Sequence, residues 1–225
     1  MAAHPHPTQT LAVSAVLCPE VASEAPAYRY AKRALDVVGA TAGLVLLAPL
    51  MLVVAVAIRL ESRGPVFFWQ WRLGEGGAPF RFYKFRSMTV NAHEERCDLE
   101  HCNEVTGPVF KMRHDPRTTR VGRFIRRASI DEMPQLWNVL RGEMSLVGPR
   151  PPIPEEVACY EPWQCERLAV RPGLTCIWQV SGRSDVPFEE WVRMDIRYVR
   201  TRSFWLDLKL LALTLPAVLS GRGAY

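Results

Sequence analysis

The sequence predicts an α+β fold, in which a long apolar helix precedes a small, mainly helical domain containing a short β-sheet or hairpin. Three observations lead to this prediction. Residues 37–58 form a run of 22 residues without a charged side chain. Two aromatic, strand-like segments then flank the glycine-rich turn Gly74–Gly77. Beyond residue 120, apolar residues recur at the spacing of amphipathic helices.

Length and composition permit a single domain with a sizeable core. The chain has 225 residues, of which 48% are hydrophobic, and its formal net charge is +5. This charge favours an anionic partner such as a phosphorylated substrate, a membrane surface or nucleic acid. Only four of the 28 basic residues are lysines, and arginine can bind phosphate through two parallel hydrogen bonds. The six cysteines include no C-x-x-C pair, so we expect reduced thiols.

Residues 1–30 are predicted to form a flexible tail, because this part is rich in proline and has almost no basic residues. The apolar run that follows is long enough to cross a bilayer. However, Pro49 interrupts it, and a proline inside a helix removes a backbone hydrogen bond. Basic residues also flank both ends, whereas a spanning helix usually has a bias to one side: Lys32, Arg33, Arg59 and Arg63.

We therefore predict that residues 31–62 form a re-entrant membrane helix hairpin, which bends at Pro49 and leaves by the face it entered. The alternative is a buried core helix. That alternative is disfavoured because the segment is apolar on all sides and lacks a polar stripe.

Two strands are predicted next, at Val66–Trp69 and Phe80–Phe85. Side chains alternate along a strand, so Lys84 and Arg86 are expected on one face. Two cations on one face can bind a phosphate, but they can equally be solvated. The pattern leaves both interpretations open.

Asn91–Cys102 is predicted to be an exposed helix. It places His93, Cys97 and His101 at i, i+4 and i+8, a row that resembles metal ligands. A zinc site usually takes its ligands from two separated pieces of chain, and this is one short polar segment. An exposed helix without metal is therefore the default interpretation.

Residues 115–127 are predicted to form a turn followed by a basic amphipathic helix. Such a helix can face DNA, anionic lipid or a pyrophosphate. DNA recognition would require a helix-turn-helix or zinc-finger context. The apolar segment upstream argues against that context, so we predict no nucleic-acid partner.

Two adjacent carboxylates, Asp131 and Glu132, follow this basic helix. Their like charges repel, and such a pair among arginines is typical of a cation site or of chemistry. Helix capping is the alternative, since Ser129 and Glu132 match a capping box. That frame would place Pro134 inside the helix, so we predict that the helix opens with Pro134 instead. The spacing does not decide between capping and catalysis.

Several motifs in this order resemble the bacterial sugar transferase family. They are KRALD, the proline-broken apolar run, RGPVFFWQWRLGEGGAPFRFYKFRSM, DPRTTRVGRFIRRASIDEMPQLWNVLRGEMSLVGPRP and RPGLTCIWQVSGR. The resemblance covers residues 31–225, and the end of the chain is similar to exopolysaccharide-initiating members of the galactosyl and glucosyl type. Two positions depart from the pattern: Ala48 precedes Pro49 where serine is common, and Cys176 replaces a glycine of PGxTG.

The resemblance implies a monotopic phosphoglycosyl transferase. It would move hexose-1-phosphate from a UDP-sugar, expected to be UDP-galactose or UDP-glucose, to undecaprenyl phosphate and release UMP. Asp131 would be the nucleophile that forms an aspartyl-phosphosugar, with Glu132 its partner at a Mg²⁺ site. The residues expected to bind phosphate are Arg126 and Arg150, joined by Lys84 and Arg86 from the strand pattern.

The same resemblance implies that residues 63–225 form a membrane-associated catalytic domain on the cytoplasmic face of the inner membrane. Phe204–Leu219 is predicted to be an interfacial amphipathic helix, with a core helix as the alternative. A homodimer is compatible with the sequence. The alternative function is a membrane-tethered module that binds or regulates without catalysis.

Arg150 lies in the loop Gly148–Pro151, which is stiffened by its prolines and aims a single guanidinium. Arg167 is predicted on the amphipathic helix that follows. We therefore expect Arg150→Lys to weaken turnover much more than Arg167→Lys.

Overall fold

The computed structural model describes residues 25–92, 94–105, 107–182, 186–220 and 223. Most of the predicted flexible tail, residues 1–24, lies outside the described residues. The first helix, α1 (Pro26–Glu61), begins earlier than predicted, with Pro26 in its first turn. Residues 26–30, which the sequence assigned to the tail, are therefore helical.

Helix α1 is continuous over 36 residues and passes through Pro49. By length and composition it can cross a membrane. The structure does not show the predicted bend at Pro49.

One face of α1 packs against the rest of the protein along almost its whole length, through side chains three or four positions apart: Ala40, Leu44, Leu47, Met51, Val54 and Ile58. The opposite face exposes large apolar side chains: Val38, Val45, Leu46, Leu52, Val53, Val56 and Leu60. Helix α1 is therefore neither fully buried nor detached from the domain, and its outer face is suited to lipid.

Strands β1 (Phe67–Leu73) and β2 (Pro79–Phe85) form the predicted antiparallel hairpin. A 3₁₀ turn at Glu75–Gly77 joins them, and Gly76 and Gly77 have φ values of 65° and 77°. These values favour glycine, which explains the glycine-rich turn. The hairpin prediction is confirmed, although β1 extends four residues further than expected.

Helix α2 (Arg120–Arg127) is the predicted basic helix, and the Thr119 hydroxyl caps it by accepting a hydrogen bond from Gly122 N at 2.9 Å. A 3₁₀ turn at Ile130–Glu132 follows, and α3 runs from Gln135 to Arg141. Pro134 directly precedes α3, so the predicted helix start is confirmed to within one residue.

A second sheet was not predicted. Strands β3 (Ser145–Val147) and β4 (Gly173–Thr175) pair in parallel. The two chains approach so closely that a Cβ on Gly173 would lie 2.0 Å from Gly148 N. Helix α4 (Pro154–Val157) and a 3₁₀ helix (Pro162–Ala169) connect the two strands.

Three helices complete the chain: α5 (Ile177–Ser181), α6 (Phe188–Thr201) and α7 (Phe204–Ser220). Helix α7 matches the predicted segment Phe204–Leu219 to within one residue, and α6 belongs to the helical region predicted beyond residue 120. In α7, Asp207 and Leu210 are buried while Trp205 and Leu215 are exposed. The helix thus packs on one side only, as an amphipathic helix does. The α+β class is confirmed.

Candidate active site

Asp131 and Glu132 lie in the 3₁₀ turn between α2 and α3. Ser129 precedes this turn in a left-handed conformation, with φ 55°, the single non-glycine residue with positive φ in the described ranges. Such a conformation is unfavourable for a residue with a Cβ, and it often occurs at functional sites. It reverses the chain sharply after α2, so that both carboxylates face one pocket.

The pocket has a volume of about 240 Å³ and is lined mainly by charged and aromatic side chains. Three of the predicted phosphate-binding residues, Lys84, Arg126 and Arg150, line it together with both carboxylates. The structure therefore brings together residues that are up to 66 positions apart in the chain.

Lys84 is brought to the pocket by a contact between β2 and α3. The buried Asn138 amide donates to Arg81 O at 2.6 Å and accepts from Tyr83 N at 3.3 Å. These bonds hold β2 beside the middle of α3. As a result, Lys84 Nζ lies 2.8 Å from Glu132 Oε1 and 3.6 Å from Asp131 Oδ2.

The two carboxylates are compensated unequally. Arg150 Nη1 also donates to Glu132 Oε1, at 3.0 Å, so Glu132 is paired with two cations. Within the described residues, Asp131 has only the longer ion pair with Lys84. Glu132 is therefore the more firmly held of the two, and Asp131 keeps more of its charge available to a ligand.

The pKa shifts of the two groups run in opposite directions. Burial raises the pKa of Asp131; Lys84 opposes this shift, and the charge of Glu132 adds to it. Burial alone would also raise the pKa of Glu132, but Arg150 and Lys84 outweigh it and hold that pKa well below its usual range. The surrounding cations therefore favour the ionised form of Glu132, whereas the ionisation of Asp131 depends on the balance between its burial and those cations.

Arg126 reaches the pocket from the last turn of α2, where its Nη1 donates to Thr118 Oγ1 at 3.2 Å. Among the described residues it forms no ion pair with either carboxylate, but its charge lowers the pKa of Asp131. Its position leaves the guanidinium facing the pocket, as a phosphate-binding role requires.

Arg86 is placed differently from the prediction. It is buried and does not line the pocket. Its guanidinium donates to Arg63 O and Ser62 O, each at 2.9 Å, and to Ser62 Oγ at 2.8 Å. Arg86 lies one residue beyond the end of β2, so the strand alternation with Lys84 does not hold. It stabilises the turn after α1 and lies outside the pocket that the other three predicted phosphate-binding residues line.

Arg167 was predicted on an amphipathic helix after the loop that carries Arg150, and it lies instead on a 3₁₀ helix. Its side chain is fully buried in the 3₁₀ helix, where Nη2 lies 2.6 Å from Asp195 Oδ2. The same Nη2 donates to Arg150 O at 2.8 Å. Arg167→Lys is therefore unsuitable as a neutral control for Arg150→Lys.

Sequence reasoning missed several residues of the pocket. Arg72, in the part of β1 beyond the predicted strand, lines it and donates to Pro151 O at 2.8 Å. Lys111 lines the wall formed by Trp178 and Trp191, with Nζ 5.4 and 5.0 Å from their ring centres. Extending the alternation of the first strand would have indicated Arg72, whereas no local pattern indicates the aromatic wall.

The donor set suits a hard cation. Mg²⁺ is usually bound by one or two carboxylates together with water and phosphate oxygens, and Asp131 and Glu132 supply two carboxylates at the pocket wall. Across the described part of the chain, no group of three or more His, Cys, Asp or Glu could hold a metal. The predicted row of His93, Cys97 and His101 cannot be judged as a whole, because His93 lies outside the described residues.

Cys176, the departure from the PGxTG pattern, fits without strain. Its φ is −150°, an extended conformation open to any residue, and its thiol is buried 3.1 Å from Gln179 Oε1. A glycine is therefore not required at this position by the backbone conformation. The five cysteines of the described residues are free thiols.

Comparison with known families matches residues 27–221 to the model of the bacterial sugar transferase family. This chain belongs to that family. The match includes the carboxylate pair, Arg150 and, except for Pro26 at the start of α1, all the helices and strands described above.

Individual relatives of this sugar transferase carry related names. It is 46% identical over 202 residues to the galactosyl transferase CpsE of Streptococcus agalactiae, covering 88% of this chain and 45% of CpsE. It is 40% identical over 199 residues to the exopolysaccharide production protein ExoY of Rhizobium meliloti, covering 87% and 88%. A UDP-glucose:undecaprenyl-phosphate glucose-1-phosphate transferase of Caulobacter vibrioides is 46% identical over 203 residues, covering 86% and 72%. The chain thus spans less than half of CpsE and most of ExoY.

Proposed function

We propose that this protein is a phosphoglycosyl transferase, which moves hexose-1-phosphate from a UDP-sugar to undecaprenyl phosphate as the first membrane step of exopolysaccharide synthesis. The observation that carries the proposal is the unequal pairing of two adjacent carboxylates in a pocket with several cations. Glu132 is held by Lys84 and Arg150, while Asp131 is left as the more available anion. The names of the relatives support the substrates and the pathway.

In the first step, an Oδ atom of Asp131 attacks the sugar-bearing phosphorus of the UDP-sugar. The bond from this phosphorus to the bridging oxygen breaks, and UMP leaves with the electron pair. The product is an aspartyl-phosphosugar. Lys84, Arg126 and Arg150 bind the phosphate oxygens, which lowers the repulsion between the carboxylate and the anionic diphosphate.

In the second step, a phosphate oxygen of undecaprenyl phosphate attacks the same phosphorus. The bond to Asp131 breaks, which regenerates the carboxylate and yields the lipid diphosphate-sugar. Asp131 and Glu132 would hold Mg²⁺, which when bound supplies positive charge for the phosphates. Glu132 meanwhile keeps Lys84 and Arg150 in place between the two steps.

We further propose that the protein is monotopic, with α1 re-entrant and both of its ends on the cytoplasmic side. At the first end, the Arg33 guanidinium donates to Val139 O and Leu140 O at the end of α3, each at 2.7 Å. At the other end, Glu61 accepts from Arg120 N and Val121 N in α2. Since α2 and α3 flank the same carboxylate pair, a spanning helix would have to break one of these attachments.

The covalent mechanism is tested by omitting the lipid. Wild type incubated with UDP-galactose or UDP-glucose and magnesium should release up to one UMP per enzyme and gain a hexose-phosphate mass on a peptide containing Asp131. Asp131→Asn should give neither product, because it removes the attacking oxygen. Glu132→Gln should still form some adduct, slowly, because the attacking oxygen remains. Chelation by EDTA should stop the release, and added Mg²⁺ should restore it.

Two results would contradict this proposal. An adduct on Glu132 would reverse the roles of the carboxylates. Release of UMP only when both substrates are present would exclude the two-step scheme in favour of direct transfer.

A further inference from the structure

The loop that carries Arg150 cannot stabilise itself through its own amides. Residues 148–152, here called the Arg150 loop, read Gly-Pro-Arg-Pro-Pro, and proline has no N–H to donate. The residues of this loop other than Arg150 are buried. Buried carbonyl groups require hydrogen-bond donors, so donors must come from elsewhere in the protein.

The structure supplies such a donor to each of four consecutive carbonyls. Gly173 N donates to Pro149 O at 2.9 Å, and Leu73 N donates to Pro152 O at 3.0 Å. The two carbonyls between them accept from guanidinium groups: Arg167 Nη2 to Arg150 O at 2.8 Å and Arg72 Nη1 to Pro151 O at 2.8 Å. The donors come from β1, β4 and the 3₁₀ helix, so the loop is held from several sides.

Arg167 is itself fixed by buried partners. Its Nη2 lies 2.6 Å from Asp195 Oδ2 on α6, and its Nη1 donates to Tyr160 Oη at 2.7 Å. Trp191 Nε1 donates to the same Asp195 oxygen at 3.0 Å. Both charged side chains have no solvent exposure. A buried ion pair adds little net stability compared with an apolar core, which favours a role in geometry.

We propose that Arg167 and Arg72 are positioning residues. They set the position and orientation of the Arg150 guanidinium in the pocket by holding two adjacent carbonyls of its loop. Arg167 does not itself line the pocket, so its effect on a bound phosphate must pass through the residues that it holds, above all this loop. Asp195 and Tyr160 transmit the position of α6 to the loop through Arg167. This inference rests on the proposed role of Arg150 as a phosphate ligand.

The first experiment measures the affinity for UDP, with magnesium, by calorimetry on the purified full-length protein. The variants are Arg150→Lys, Arg167→Lys and the double variant. We expect Arg167→Lys to weaken UDP binding roughly tenfold or more, as loss of a charge-assisted hydrogen bond does. The double variant should be no weaker than Arg150→Lys, because both changes remove the same contact. Independent, additive losses would overturn the proposal.

Arg200→Lys is the matched control. Arg200 pairs with Glu166, the neighbour of Arg167, through two contacts of 2.7 and 2.6 Å, but its side chain is exposed. The control should bind UDP like wild type, since exposed pairs contribute little. A loss equal to that of Arg167→Lys would point to general disturbance of this segment and would also overturn the proposal.

The second experiment does not depend on substrate. Hydrogen exchange followed by mass spectrometry reports the amides of Gly148 and Arg150, the two in the loop. We expect faster exchange there in Arg167→Lys and, to a smaller extent, in Tyr160→Phe. Tyr160→Phe leaves the ion pair between Arg167 and Asp195 in place, so it serves as the second variant if Arg167→Lys does not fold. Unchanged exchange in Tyr160→Phe and in any folded Arg167→Lys would refute the positioning role. If Arg150→Lys binds UDP normally while exchange is faster, only the phosphate role of Arg150 fails.

Discussion

At the scale of single residues, two carboxylates that are adjacent in the chain have different electrostatic environments. Asp131 and Glu132 carry the same charge and line the same pocket. The difference arises because Lys84 and Arg150 both contact one oxygen of Glu132. An anion that already has two cations is a poor nucleophile, because attack would require it to leave both. Asp131 has only the longer contact with Lys84, at 3.6 Å, so its attack carries a smaller cost.

Lys84→Met tests how much this arrangement depends on one cation. We expect single-turnover UMP release to fall roughly 10²–10³-fold, as happens when a preorganised electrostatic contact is removed. Lys84 lowers the pKa of Asp131 against the effect of burial. Without Lys84 that pKa rises further, so the acid limb of the pH–rate profile should move to higher pH.

Arg81→Met is the control for Lys84→Met. Arg81 lies on the same strand but is exposed, with its guanidinium over Trp69 and Trp71. Its replacement should leave the rate and the pH profile close to those of wild type. An unchanged acid limb in Lys84→Met would mean that Asp131 is ionised without help from Lys84.

At the scale of elements, α1 and α3 are joined by a polar contact as well as by apolar packing. The last carbonyls of a helix have no partners within it, and Arg33 supplies donors to two of them, Val139 O and Leu140 O. Gly43 allows the close packing, since a Cβ there would lie 3.0 Å from Leu136 Cδ1. The start of α1 is thus part of the support for α3 and for the carboxylates before it.

Arg33→Met should therefore lower the stability of the protein by about 1–3 kcal/mol, because two partly buried carbonyls lose a charged donor. Thermal unfolding in detergent should detect a lower Tm. The exposed Arg29, one turn earlier on α1, provides the control Arg29→Met, with little change expected. Equal effects of the two variants would indicate that the α3 contact is not stabilising.

At the scale of the whole molecule, large exposed apolar side chains occur on four helices. Besides the outer face of α1, they include Phe124 on α2, Trp137 on α3, and Trp205 and Leu215 on α7. Exposed apolar surface of this extent is typical of a membrane or protein interaction site. This exposed surface and the attachment of both ends of α1 together favour a domain that contacts the lipid directly over a domain that is tethered by a spanning helix.

Topology can be measured with single cysteines introduced before Lys32 and after Arg63 in a background without native cysteines. In intact cells, both positions should resist a membrane-impermeant maleimide, and both should react once the inner membrane is opened. A cysteine at Leu46, on the exposed face of α1, should label poorly in either case if it lies in lipid. Labelling of one end from outside intact cells would establish a spanning helix.

The sequence by itself determined the features that depend on local pattern. The apolar helix follows from an uncharged run, the hairpin from aromatic alternation around glycines, and the start of α3 from Pro134. The carboxylate pair and the prolines around Arg150 were also visible, because adjacent residues need no fold to bring them together. Their functional interpretation came from the order of motifs and was not available from spacing.

Only the tertiary structure decided which cations reach the carboxylates. Lys84 and Arg86 are two positions apart, yet one contacts Glu132 and the other holds the turn after α1, because the strand ends between them. Arg167 was predicted only to lie on an amphipathic helix, but folding buries it between Asp195 and the Arg150 loop. A long flexible side chain can bind any partner within its reach, and that partner is set by elements distant in the sequence. No local pattern records this choice.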